Sequence, residues 1–181
     1  MTKIAVFVGS LREKSFNKSL AHSLEKLAPE GMEFEYIDIN LPLFNQDFEV
    51  NYPIEAKAVK DIVESSDGVL FVTPEYSRSV PGVLKNAIDW ASRPWGTNSF
   101  NEKPAGIVGA SGGPVGTAVA QSDLRHILSF LNVRLMGQPE IYMANSADNF
   151  DEAGELIDER WHKNVAAYIS AFSDHINLYK K

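Results

Sequence analysis

Val8-Gly9-Ser10-Leu11-Arg12-Glu13-Lys14-Ser15-Phe16-Asn17 decides how the chain is read: an apolar run breaks into glycine, hydroxyls and one arginine, and a helical pattern follows. Ile4 to Val8 is short, apolar and rich in β-branched and aromatic residues, which predicts a buried strand ended by Gly9. Beyond it, Leu20, Ala21, Leu24 and Leu27 recur at spacings of three and four, the stripe of an amphipathic helix. The loop therefore feeds a first helical turn whose free N–H groups and positive dipole end attract an anion. Ser10, Ser15 and Asn17 add side-chain hydrogen bonds, and Arg12 adds a charged fork. The same residues also fit a plain helix cap with Arg12 in solvent.

Working outward, strands and helices alternate. Met32 to Ile39 reads as a second strand, with Phe34 and Tyr36 on one side and Ile37 and Ile39 at its end. Asn40 to Pro53 reads as a loop whose Leu41-Pro42-Leu43-Phe44 packs on the sheet edge or at a subunit contact. Ile54 to Glu64 is helical by periodicity, and Val69 to Val72 is a third strand. Val83 to Ala91 is a helix, Ala105 to Val108 a fourth strand, and the stripe from Ala118 to Leu131 another helix. Val133 to Met136 and Ile141 to Met143 bracket Gly137-Gln138-Pro139 as a bent fifth strand, its proline marking an edge or a break. Trp161, Val165, Tyr168, Ile169, Phe172 and Ile176 line a final helix. The pattern predicts one domain over residues 1–181: an α/β, doubly wound, five-stranded parallel sheet with helices on both faces. In the flavodoxin-like order 2-1-3-4-5, ligands sit beyond the strand C-termini, where the loops after strands one, three and four converge.

Composition narrows the chemistry. A net charge of −7 and no basic cluster argue against a nucleic-acid partner. With 0 cysteines, thiolate nucleophiles, disulfides and iron–sulfur clusters are excluded, so redox chemistry requires a bound cofactor. No apolar stretch approaches the roughly 20 residues of a membrane span, and a cytoplasmic location is the expectation. The 4 histidines are scattered and no metal site is expected. Neither G-x-x-x-x-G-K-[ST] nor G-x-G-x-x-G follows the first strand, so a metal-free phosphate such as that of flavin mononucleotide (FMN) fits the first loop best.

The second loop, Thr73 to Gly82, holds Glu75, Tyr76 and Ser77 between Pro74 and Pro81. A rigid loop of this kind supplies an aromatic wall and backbone polar groups to a flavin ring, although Tyr76 also suits a core-covering role and Pro81 a first-turn position. In the third, Gly112-Gly113 allows close backbone approach and Ser111 offers a hydroxyl.

Gly9-Ser10-Leu11-Arg12 with Ser15-Phe16-Asn17, Thr73-Pro74-Glu75-Tyr76-Ser77 with Ser79-Val80-Pro81-Gly82, Leu84 to Trp90, and Gly137-Gln138-Pro139-Glu140 together resemble the NADPH-dependent FMN reductase family of quinone, azo-dye and chromate reductases. The resemblance implies that Ser10, Leu11, Arg12, Ser15, Phe16 and Asn17 hold the FMN phosphate. It implies that Pro74, Glu75, Tyr76 and Ser77 line the isoalloxazine, and that Ser111 and Gly112 touch its other edge. It further implies a homodimer or homotetramer, a expectation that the aromatics Trp90, Trp95 and Phe100 beside the second loop support. The implied activity takes electrons from NADPH or NADH through FMN to a small-molecule acceptor: a quinone, azo compound, free flavin or metal oxyanion. A flavodoxin-like electron carrier without NADPH oxidation is the alternative. The chain departs from the family in having Ser77 in place of a common asparagine, and Thr117 and Val119 in place of a glycine and an arginine.

Overall fold

The computed structural model describes residues 1–180. Six strands form one parallel sheet: β1 (Thr2–Val8), β2 (Met32–Tyr36), β3 (Gly68–Val72), β4 (Pro104–Ala110), β5 (Arg134–Leu135) and β6 (Ile141–Met143). Their order is β2-β1-β3-β4-β5, with β6 also paired to β4. The helices are α1 (Phe16–Lys26), α2 (Ile54–Ser65), α3 (Gly82–Ala91), α4 (Ala118–Phe130) and α5 (Glu159–Asn177).

Because successive strand side chains point to opposite faces, the sheet feeds two cores. Ile4, Val6, Val8, Leu70 and Val72 meet α1 and α5, while Ala5, Phe7, Val69, Phe71 and Ile107 meet α2, α3 and α4. Helices thus cover both faces, as the alternation predicts. β1 and β3 are buried from Ile4 and Gly68 onward, so their sequences read as unbroken apolar runs rather than as alternation.

The predicted bent fifth strand is two strands. Arg134 and Leu135 pair with Pro104 and Ala105, and Ile141 to Met143 pair with Val108 to Ala110, so both lie along the same side of β4. The break falls at the Gly137-Gln138-Pro139 segment, where proline has no N–H to give a ladder. At the other edge, β2 stops at Tyr36 and presents Glu33 and Glu35 to solvent. Ile37 and Ile39 are buried beyond its end.

The loop from Asn40 to Pro53 contains a 3-10 turn, Gln46–Val50, that periodicity does not reveal. Its apolar segment is fixed to α3: the Pro42 carbonyl accepts from Trp90 Nε1 at 2.8 Å and Asn86 Nδ2 at 3.0 Å. The Phe44 ring meets Trp90 edge-on at 4.9 Å. Trp90 and Phe100 are fully buried, so two of the three aromatics read as signs of self-association are core; Trp95 is 78% exposed. Lys103, its pKa lowered by burial, closes α2 by donating to the Glu64 carbonyl at 2.9 Å and the Ser66 carbonyl at 2.5 Å.

Candidate flavin site

Three loops leave the adjacent ends of β1, β3 and β4 and sit against one another. Gly9 N–H donates to the Val72 carbonyl at 2.9 Å, and a Cβ on Gly9 would lie 3.1 Å from Leu84 and 3.2 Å from Pro74. A side chain there would push the first loop off the second. Gly109 is tighter: its Cβ would meet Thr117 Oγ1 at 2.1 Å and the Thr73 carbonyl at 2.3 Å, so the second and third loops approach through a glycine.

In the first loop, Ser15 caps α1 by accepting from Asn17 N–H at 3.3 Å, and Ser10 Oγ accepts from Arg12 N–H at 3.3 Å. Both hydroxyls are buried and organise the loop's own backbone. The N–H groups of Leu11, Lys14 and Phe16 find no acceptor among the described residues. Leu11 and Arg12 are exposed. The Arg12 guanidinium lies 5.5 Å from the centre of the Phe16 ring and pairs with no carboxylate among the described residues. Phe16 in turn stacks on Phe150 at 6.3 Å. Free amides at a helix start, with an uncompensated guanidinium beside them, fit the phosphate of FMN.

Asn17 is placed differently from the expectation. Its Nδ2 donates to the Ala110 carbonyl at 2.9 Å, and its Oδ1 accepts from Ala110 N–H at 2.9 Å. Peptide groups of alternate residues share an edge, and Val108 accepts from Thr73 N–H, so Ala110 faces the same side, past the end of β3. The Asn17 amide therefore stands where a further residue of β3 would pair. It is 2% exposed and ties the first loop to the third.

The second loop is a tight hairpin. Tyr76 N–H donates to the Ser79 carbonyl at 3.2 Å and Ser79 N–H returns a bond to Tyr76 at 2.9 Å. Between them Ser77 (φ 50°) and Arg78 (φ 61°) are both left-handed, the geometry of a type I′ turn. Pro74 is buried, and Tyr76 is 54% exposed, so its ring does not cover the core. Pro81 stands at the N-cap of α3, one position before the predicted first turn. The Glu75 carboxylate turns away from the hairpin tip: Oε2 accepts from Val119 N–H at 3.0 Å and Ala120 N–H at 3.1 Å, and Oε1 accepts from Arg78 at 3.1 Å.

The third loop is held from the far side. Ser111 N–H donates to the Met143 carbonyl at 2.9 Å, its carbonyl accepts from Ser146 N–H at 3.0 Å, and its hydroxyl accepts from Gly113 N–H at 3.1 Å. Gly112 is exposed, and a Cβ there would come no nearer than 3.8 Å to Phe16. A cavity of about 250 Å³ lies between the second and third loops, lined by Ser77, Arg78, Ser111 and Gly113. Three participants lie outside the predicted set. Arg78 sits at that cavity, signalled in sequence only by its place between the two prolines; Asn145 (φ 49°) and Ser146 follow β6 and carry no local motif.

A parallel doubly wound sheet with a phosphate cradle after β1, and with the loops after β3 and β4 closing on it at the switch point, defines a flavodoxin-like flavoprotein. The chain belongs to the NADPH-dependent FMN reductase family, whose sequence model matches residues 2–148. It is an oxidoreductase with FMN as cofactor and NAD(P)H as donor. It is 49% identical over 172 residues to a 2-hydroxy-1,4-benzoquinone reductase of a Burkholderia species, covering 94% of each chain. It is 41% identical over 177 residues to a quinone reductase of Pseudomonas putida, covering 97% of this chain and 95% of that one. Among solved structures, the flavoenzyme NAD(P)H:(acceptor) oxidoreductase FerB of Paracoccus denitrificans superposes with a TM-score of 0.93 at 41% identity, covering 99% of each chain. No helix among the described residues is long and apolar enough to cross a membrane.

Proposed function

We propose that this chain, acting as one FMN-binding domain in the cytoplasm, is an NAD(P)H-dependent quinone reductase. The observation that carries the site assignment is the set of unpartnered amides at Leu11, Lys14 and Phe16 beside an unpaired Arg12. The quinone as acceptor is supported by the names of the two relatives above. When bound, FMN supplies the two-electron redox chemistry. The residues of this chain bind and orient: Ser10 and Ser15 shape the cradle, the Arg12 guanidinium and the amides of Leu11, Lys14 and Phe16 hold the phosphate, and Asn17 fixes the cradle against the third loop. Pro74, Tyr76 and Ser77 line one side of the ring, Ser111 and Gly112 the other, and Glu75 stands behind them. Donor and acceptor share one opening in this fold, so turnover is ping-pong.

Anaerobic stopped flow tests this. NADPH alone should bleach the flavin band at least as fast as steady-state turnover, and added benzoquinone should restore it. Bleaching far slower than turnover would assign the chain to the electron carriers instead. Self-association belongs to the same proposal: Trp95 (78% exposed) and Phe130 (76% exposed) flank one surface groove of about 1010 Å³ between the segment after α3 and the outer face of α4. Light scattering is expected to give a multiple of the 20.1 kDa chain mass.

A further inference from the structure

Glu75 lies in the loop read above as facing the flavin, yet its carboxylate serves another element. The side chain is 6% exposed. Helix α4 has no cap of its own: Thr117, at the N-cap, makes no side-chain capping bond, and the first turn carries no acid. Glu75 fills that role from outside the helix, taking the amides of Val119 and Ala120 with a single oxygen where the helix dipole favours a negative charge. Its other oxygen holds Arg78, the second left-handed residue of the hairpin.

Two adjacent non-glycine residues at positive φ are strained, so the turn's own preference does not secure it. The hairpin is fixed instead by what it touches. One tether, Ser79 Oγ donating to Asp123 at 2.8 Å, is a single exposed bond; the Glu75 carboxylate, 6% exposed, makes three bonds, of which that to Ala120 N–H is partly buried and those to Val119 N–H and Arg78 are exposed. The position of the Tyr76-Ser77 tip relative to the third loop therefore depends chiefly on a carboxylate seated on the end of α4.

We propose that Glu75 is a positioning residue for the redox site: by capping α4 and gripping Arg78 it sets the height and tilt of the Tyr76–Ser79 hairpin over the flavin edge. This rests on the reading that the hairpin lines FMN. The test compares wild type, Glu75→Gln and Glu75→Ala, all saturated with FMN, by flavin visible circular dichroism, FMN dissociation constant, and kcat and KM for NADPH. The Gln variant keeps an acceptor for both amides and loses the ion pair to Arg78, so its kcat should fall, but by less than that of the Ala variant. In the Ala variant the phosphate cradle is intact and FMN affinity should fall less than tenfold. Its flavin dichroism should change and its kcat should fall at least tenfold at saturating NADPH. Tyr168→Phe, which loses a buried bond to the Ile107 carbonyl within β4, controls for general destabilisation and should keep wild-type kcat and dichroism. An Ala variant within twofold of wild type in kcat with an unchanged spectrum overturns the proposal, as does a Gln variant that falls as far as Ala. Should the Ala variant not fold, Val119→Pro removes one capped amide at a first-turn position that accepts proline. An unaltered flavin spectrum in that variant overturns the proposal equally. Wild-type protein that binds no FMN refutes the underlying site assignment, before any variant is compared.

Discussion

Replacing Asn17 by alanine tests the structural core of the site. The two 2.9 Å bonds to Ala110 disappear, and both peptide groups of a buried residue lose their partner, because β3 has already ended beside them. An orphaned buried polar group costs about 1–3 kcal/mol, so the pair costs about 2–6 kcal/mol. That is a large part of the roughly 5–15 kcal/mol that holds a domain together. Asn17→Asp should lie between: its carboxylate still accepts from the Ala110 N–H but faces the Ala110 carbonyl with no proton to give. On acidification the introduced carboxyl gains that proton, so the gap between the Asp variant and wild type should narrow as pH falls toward 4. The assay is urea unfolding of the apoprotein, followed by tryptophan fluorescence, at several pH values. An Ala variant within 0.5 kcal/mol of wild type, about the low end of one net hydrogen bond, would refute the argument.

Three further outcomes are expected. Arg12→Ala should weaken FMN by about 1.5–3 kcal/mol, the worth of a charged hydrogen bond, in a fluorescence titration; an unchanged constant would make Arg12 a bystander. Ser77→Asn should stabilise the apoprotein, by at most about 1 kcal/mol, because asparagine tolerates the left-handed conformation held at φ 50°, and a lower thermal midpoint would contradict this. Burial raises the Tyr52 pKa to about 12, aided by the nearby Glu49. The neutral phenol, which donates to the Trp90 carbonyl, is favoured in the folded state, so its contribution is intact below pH 10 and lost as pH climbs through 12. Tyr52→Phe should make the alkaline decline in stability shallower; an identical slope would discount Tyr52.

The fold was legible where side-chain pattern dictates it. Buried strands such as Ile4 to Val8 and Val69 to Val72 are bounded by glycine or polar loops, and helix stripes such as Leu20-Ala21-Leu24 have only one burial solution. The division of the last strand was half legible: Pro139 announces a break, but sequence does not say that both halves continue on β4. At the site, glycine, serine and arginine advertise a cradle, whereas the partners of Asn17 and Glu75 are set by tertiary geometry. Asn17 meets a residue 93 positions away and Glu75 one 44 away, distances over which no local periodicity carries information. Two of the three aromatics failed as surface signals for a related reason: Trp90 is as large as Trp95, and only the folded chain says which of them is buried.

The edges of the sheet bear on how copies of this chain can meet. On one side β4 is followed by two ladders, β5 of 2 and β6 of 3 residues, parted by a proline-bearing kink that offers no continuous row of donors to a stranger. On the other, Glu33 and Glu35 project from β2, and a second β2 laid alongside would bring like charges together. Both are devices that keep sheets from growing across molecules. Open-ended strand addition, the route to fibres, is thereby disfavoured at both edges of the sheet.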